Sequence, residues 1–149
     1  MEAVSPRDTL RQMSKPFSMR LTESTRERLK LRAERNGTAP RTLAQRYLEE
    51  GLRMDEHPLV IFADGPAGRR ARLAGTGADI WEVIATIKDN DGSEEAAADY
   101  LSMPPALVNG AVSYYGSYPE EIDSLIERNS AETDEAEARW LAGRAALSR

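Results

Sequence analysis

Apolar and polar positions alternate with a period of two from Pro16 to Leu21, placing Phe17, Met19 and Leu21 on one side and Ser18 and Arg20 on the other, as in a half-buried strand. The period then becomes helical. Thr22 supplies a cap, Thr25, Leu29 and Ala33 follow at helical spacing, and Asn36-Gly37 closes the helix with residues that tolerate a left-handed turn. Pro40 suits the first turn of a second helix, whose apolar stripe is Leu43, Ala44, Tyr47, Leu48 and Leu52, ending at the Asp55-Glu56-His57-Pro58 break. Beyond it, the apolar run Leu59 to Ala63, a turn rich in Asp, Gly and Pro, and a basic alternating run predict a hairpin. Three helical stretches come next. Ile80 to Lys88 presents Ile80, Val83, Ile84 and Ile87; Ser93 caps Glu94 to Tyr100; Pro104 opens a helix carrying Leu107, Val108, Ala111, Val112 and Tyr115. Ser130 to Arg149 reads as a polar helix with a cap, an acidic first turn and arginines at its end, the order a helix dipole prefers.

These elements predict a mainly α chain in four parts. Residues 1–14 form a basic arm, 15–56 a strand and two helices, 57–128 a hairpin with a small helix-turn-helix bundle, and 129–149 a helical tail. The short Leu101 to Pro105 connection has the length of a helix-turn-helix turn.

Composition narrows the chemistry. Among 149 residues there is no cysteine and a single histidine, His57, so neither a disulfide framework nor a thiolate metal site is available, and no cofactor is expected. No Ser/His/Asp or Cys/His set is apparent, and the pairs Glu94-Glu95 and Glu120-Glu121 sit where helix starts favour negative charge, so no enzyme is expected. Gly65 and Gly68 lack the Lys-Ser/Thr of a phosphate loop. The longest apolar run is far below the roughly 20 residues that cross a bilayer, and the front lacks the apolar core of a signal peptide, which predicts a cytoplasmic protein without membrane contact.

Charge is distributed unevenly. Arg7 to Arg46 carries 11 Lys/Arg against 4 Asp/Glu, whereas Ala74 to Glu137 carries 2 against 15. The basic front suits DNA phosphates, and the acidic half is repelled by them. Pro104 to Tyr118 contains no Lys or Arg, so its helix is read as protein-facing or structural rather than as a DNA reader.

A strand with two short helices buries too little apolar surface to stand alone and leaves its edge open. Two copies can pair their strands antiparallel about a two-fold axis, covering Phe17, Met19 and Leu21 and presenting Ser18 and Arg20 to a major groove. The stretch "FSMRLTESTRERLKLRAERNGTAPRTLAQRYLEEGLR" resembles a ribbon-helix-helix domain of the Arc/MetJ/CopG type. The resemblance implies a homodimer or higher even oligomer on a double-stranded DNA operator. It also implies base contacts from Ser18, Arg20 and Lys15, and a phosphate held at the second helix start around Ala39, Pro40 and Arg41. Ala39 replaces the usual Ser or Thr cap, leaving Thr38 as the alternative cap, and Arg32 stands at a commonly apolar position.

Residues 68–123, with Gly75-Thr76 and Trp81, are similar to a small helix-turn-helix domain of unknown function, the four-thirty-three type, although Gly77 and Ala78 replace its usual Arg and apolar residue. The two resemblances together imply a VapB-like antitoxin of a type II toxin–antitoxin system, partnered by a PIN-like ribonuclease toxin. The alternative is a stand-alone ribbon-helix-helix repressor. Trp140, with Leu141 and Leu147, either folds back on the core or anchors a partner. The resemblance implies that this tail crosses the toxin and that Arg144 enters its metal-binding carboxylates.

Overall fold

The computed structural model describes residues 16–65 and 68–148. Among them it is mainly helical, with one two-stranded antiparallel sheet. The order is α1 (Glu23–Arg35), α2 (Pro40–Glu56), β1 (Val60–Gly65), β2 (Gly68–Leu73), α3 (Ile80–Asp89), α4 (Glu94–Tyr100), α5 (Pro105–Ser117) and α6 (Pro119–Leu147). Two compact units divide between Arg46 and Tyr47, inside α2 and ahead of the Asp55–Pro58 break. None of the helices is long and apolar enough to cross a membrane, among the described residues.

In the first unit, Pro16 to Thr22 has no regular secondary structure in the single chain. A strand exists only through its pairing, so the alternation at Phe17, Met19 and Leu21 calls for an edge from outside. Thr22 caps α1 as expected, its hydroxyl accepting from the Thr25 amide at 3.3 Å. The Asn36-Gly37 exit is also as expected, with Gly37 at φ +60° and the Thr38 amide donating back to Ala33 at 3.0 Å. Ala33 and Leu43 are the buried apolar residues of this unit among those described. Arg32 is exposed.

The second unit holds the core. The hairpin pairs Val60 with Leu73 through Gly65 with Gly68, so Val60, Ala71 and Leu73 point inward. Ile80, Val83 and Ile84 of α3, Ala98 of α4, Val108, Ala111 and Tyr114 of α5, and Ile122 of α6 complete it. Caps define the helix starts. The Asp79 amide donates to Glu82 at 2.8 Å before α3, and Ser93 Oγ accepts from Ala96 at 3.1 Å before α4. The Pro104-Pro105 pair shifts α5 one residue from expectation, Pro104 becoming the cap. On α5 the tyrosine in the core is Tyr114, whereas Tyr115 is half-buried and donates to Asp123 at 3.0 Å. Lys88 donates to the same Asp123 carboxylate at 2.6 Å and holds its pKa below the usual value.

The tail differs from expectation. Ser130 caps nothing: it lies inside α6, which runs unbroken for 29 residues from Pro119 to Leu147. No glycine or proline interrupts Glu120 to Ala142, so nothing there stops the helix.

The C-terminal half of α2 belongs to this unit because its polar residues are tied to α5 and α6. Arg53 Nη1 donates to Glu121 Oε2 at 2.6 Å and to the Tyr114 hydroxyl at 2.8 Å, while its Nε donates to Glu49 at 2.8 Å. Tyr114 donates to the other Glu121 oxygen at 2.9 Å, and the guanidinium lies 3.9 Å from the Tyr118 ring centre. Burial opposes the charge on Arg53, but the two carboxylates and the tyrosine outweigh it and raise the pKa. For Tyr114 burial acts in the opposite sense and raises the pKa, so the group stays a hydroxyl donor. His57 is enclosed beside them, its ring edge-on to Tyr114 at 5.2 Å. Arg53→Ala leaves Glu121 and Tyr114 without their shared donor and should lower the unfolding free energy by about 1–3 kcal/mol, read from urea denaturation. A loss below about 0.5 kcal/mol would reduce the cluster to an ordinary surface ion pair.

Candidate nucleic-acid and partner-contact surfaces

The first unit is basic and open. Described residues 16–46 contain 8 Lys/Arg against 3 Asp/Glu, and Ser18, Arg20, Ala39 and Arg41 are all exposed. Phe17, at 84 % exposure, and Met19, at 55 %, share the segment with Ser18 and Arg20. Lys15 lies outside the described residues, as do Arg7 and Arg11 of the arm. At the start of α2 the Ala39 carbonyl accepts the first helical bond from Leu43 at 3.0 Å, which makes Ala39 the N-cap and removes Thr38 from that role. Ala39 has no side-chain oxygen to occupy the first-turn amides, and no acidic residue stands in that turn. The amides of Arg41 and Thr42 therefore remain as donors to an anion beside the exposed Arg41 side chain.

Along α2 the expected stripe does not end in a core. Leu48 and Leu52 stand in water, at 51 % and 60 % exposure. Apolar residues at helical spacing on one face are what a second surface would cover.

The second unit offers DNA little free positive charge. Arg69 of β2 is clamped by both Glu50 oxygens at 2.5 and 2.7 Å, and Arg72 donates to the buried Asp79 at 2.9 Å, with Arg70 3.4 Å from the same carboxylate. The basic run of the hairpin is thus consumed internally. Helix α5 carries no Lys or Arg and turns Val108, Ala111 and Tyr114 into the core. A cleft of about 330 Å³ beside β2 and α3 combines Arg70, Arg72 and Arg128 with Asp79, Glu82 and Glu132, an even balance of charge. No group of three His, Cys, Asp or Glu suited to a metal occurs among the described residues.

The last two turns of α6 form the other open surface. Trp140 is 60 % exposed, with Leu141 and Leu147 also exposed. Trp140 does not fold back on the core; its ring faces the Arg144 guanidinium one turn along, 5.4 Å from the centre.

Ser18 and Arg20 lie in one exposed segment, Ala39 and Arg41 at one helix start, and Trp140, Leu141, Arg144 and Leu147 on one helix end. Arg53 and Tyr114, which organise the second unit, do not stand out in the pattern. An arginine at a helix end looks like a solvated charge, and adjacent tyrosines at 114 and 115 fit a helical stripe equally well. Comparison with protein-family models, with curated proteins and with solved structures returned no match.

Proposed function

We propose that this chain is the antitoxin of a type II toxin–antitoxin pair, which dimerises through residues 15–56, represses its own operon and neutralises a PIN-like ribonuclease through its C-terminal helix. The reading rests on the first unit. It buries Ala33 and Leu43, yet leaves Phe17, Met19 and Leu21 in water in alternation with Ser18 and Arg20. Two copies pairing these segments would remove the apolar side chains from water and set Ser18 and Arg20 outward on a two-stranded ribbon, the width of a major groove. The uncapped start of α2 with Arg41 supplies a phosphate contact, and Lys15 adds one more basic residue next to this segment in the sequence. The internal pairing of Arg69, Arg70 and Arg72 supports assigning DNA contact to the first unit alone. An exposed tryptophan next to an arginine is the composition of an interface anchor, which supports a protein partner at Trp140, Leu141, Arg144 and Leu147.

Arg20→Ala should weaken binding to the operator by about 1–3 kcal/mol and relax base preference, measured by fluorescence anisotropy against matched and mismatched sites. Unchanged affinity and preference would remove Arg20 from the readout. For the partner, a tagged chain co-expressed with the open reading frames on either side should retain one small protein in fixed ratio, and truncation after Asn129 should release it. Recovery of the tagged chain alone would exclude the toxin and leave the repressor.

A further inference from the structure

The acidic cluster Glu132, Asp134, Glu135 and Glu137 lies in the middle of α6, more than two turns from Pro119, where the helix dipole gives no reason for it. Ala136, Trp140, Gly143 and Leu147 recur at spacings of four, three and four, the seam of a two-helix coil, with Glu137 and Arg144 on the same flank. Leu141 falls about 100° from Trp140 and outside that seam. Gly143 is the odd member. A methyl group there would meet nothing within 4 Å in the single chain, yet glycine inside a helix costs about 1 kcal/mol relative to alanine.

We propose that the C-terminal half of α6 pairs antiparallel with the same segment of a second copy. In the register that sets Trp140 opposite Gly143 of the second copy, Leu147 lies opposite Ala136, so each large side chain meets a small one. The same register brings Glu137 beside Arg144 of the second copy, twice by symmetry. A parallel pair would instead set Glu132 against Glu137 and Arg139 against Arg144, like charges on both flanks. Charge and size thus select a second copy and its direction. The inference is independent of the DNA and toxin readings, and a toxin that takes Trp140 and Arg144 must displace the second copy.

The chain has no cysteine, which makes cross-linking specific. Full-length Ala136→Cys/Leu147→Cys should oxidise to a disulfide-linked dimer, since its two thiols lie about 16 Å apart within one helix and cannot join there. Each single-cysteine variant should form roughly tenfold less, because in the antiparallel register a residue at 136 or 147 is too far from its own copy. In the double-cysteine chain, Glu137→Arg and Arg144→Glu should each lower the linked fraction about fivefold and together restore it. Single-cysteine chains that link as readily as the double would overturn the antiparallel register. A double-cysteine chain that stays unlinked under oxidation, while a toxin is retained by the same face, would assign the face to the toxin alone.

Discussion

Apolar burial is the constraint on which the rest of this chain depends. One core is complete, that of the hairpin and α3 to α6, where Leu73, Ile80, Val83, Val108 and Tyr114 are shut from water. Both ends carry large apolar side chains that the single chain leaves outside. Fully burying such a side chain would return on the order of 1.5–3 kcal/mol, and contiguous exposed series of this kind mark surfaces that another chain can cover. The ends of the chain are, on this view, halves of interfaces.

Charge decides what each end can face. The hairpin arginines are spent on Glu50 and Asp79, and Lys88 is spent on Asp123, so the second unit presents chiefly acid. The first unit keeps Arg20 and Arg41 exposed. The proposed reading assigns phosphates to the front for this reason, and a protein to the tail, which combines an exposed tryptophan with both signs of charge in separate turns.

Much of the fold is legible in the sequence. Period and caps locate α1, the hairpin, α3 and α4, because Thr22 and Ser93 act locally and the two hairpin runs pair in antiparallel register from Val60–Leu73 to Gly65–Gly68, while the turn residues 66–67 lie outside the described residues. The junction at Ser130 misleads for an equally physical reason. A serine followed by acidic residues looks like a helix start, but a capping side chain acts only where the backbone already departs from helix, and nothing before Ser130 makes it depart. The Arg53 cluster is illegible because it joins residues far apart in the chain, and no local pattern records that. Ser18, Arg20, Arg41 and Trp140 are exposed, as their places in the pattern require for any contact role, whereas the proposed role of Gly143 takes shape only once α6 is seen as one helix with open space beside that residue.

The central claim is that both ends are interfaces completed by other chains, and the mass of the purified full-length chain tests it most directly. Sedimentation equilibrium at micromolar concentration should give an even multiple of 16.5 kDa. A single 16.5 kDa species across that range would contradict the paired ribbon and the paired helix together.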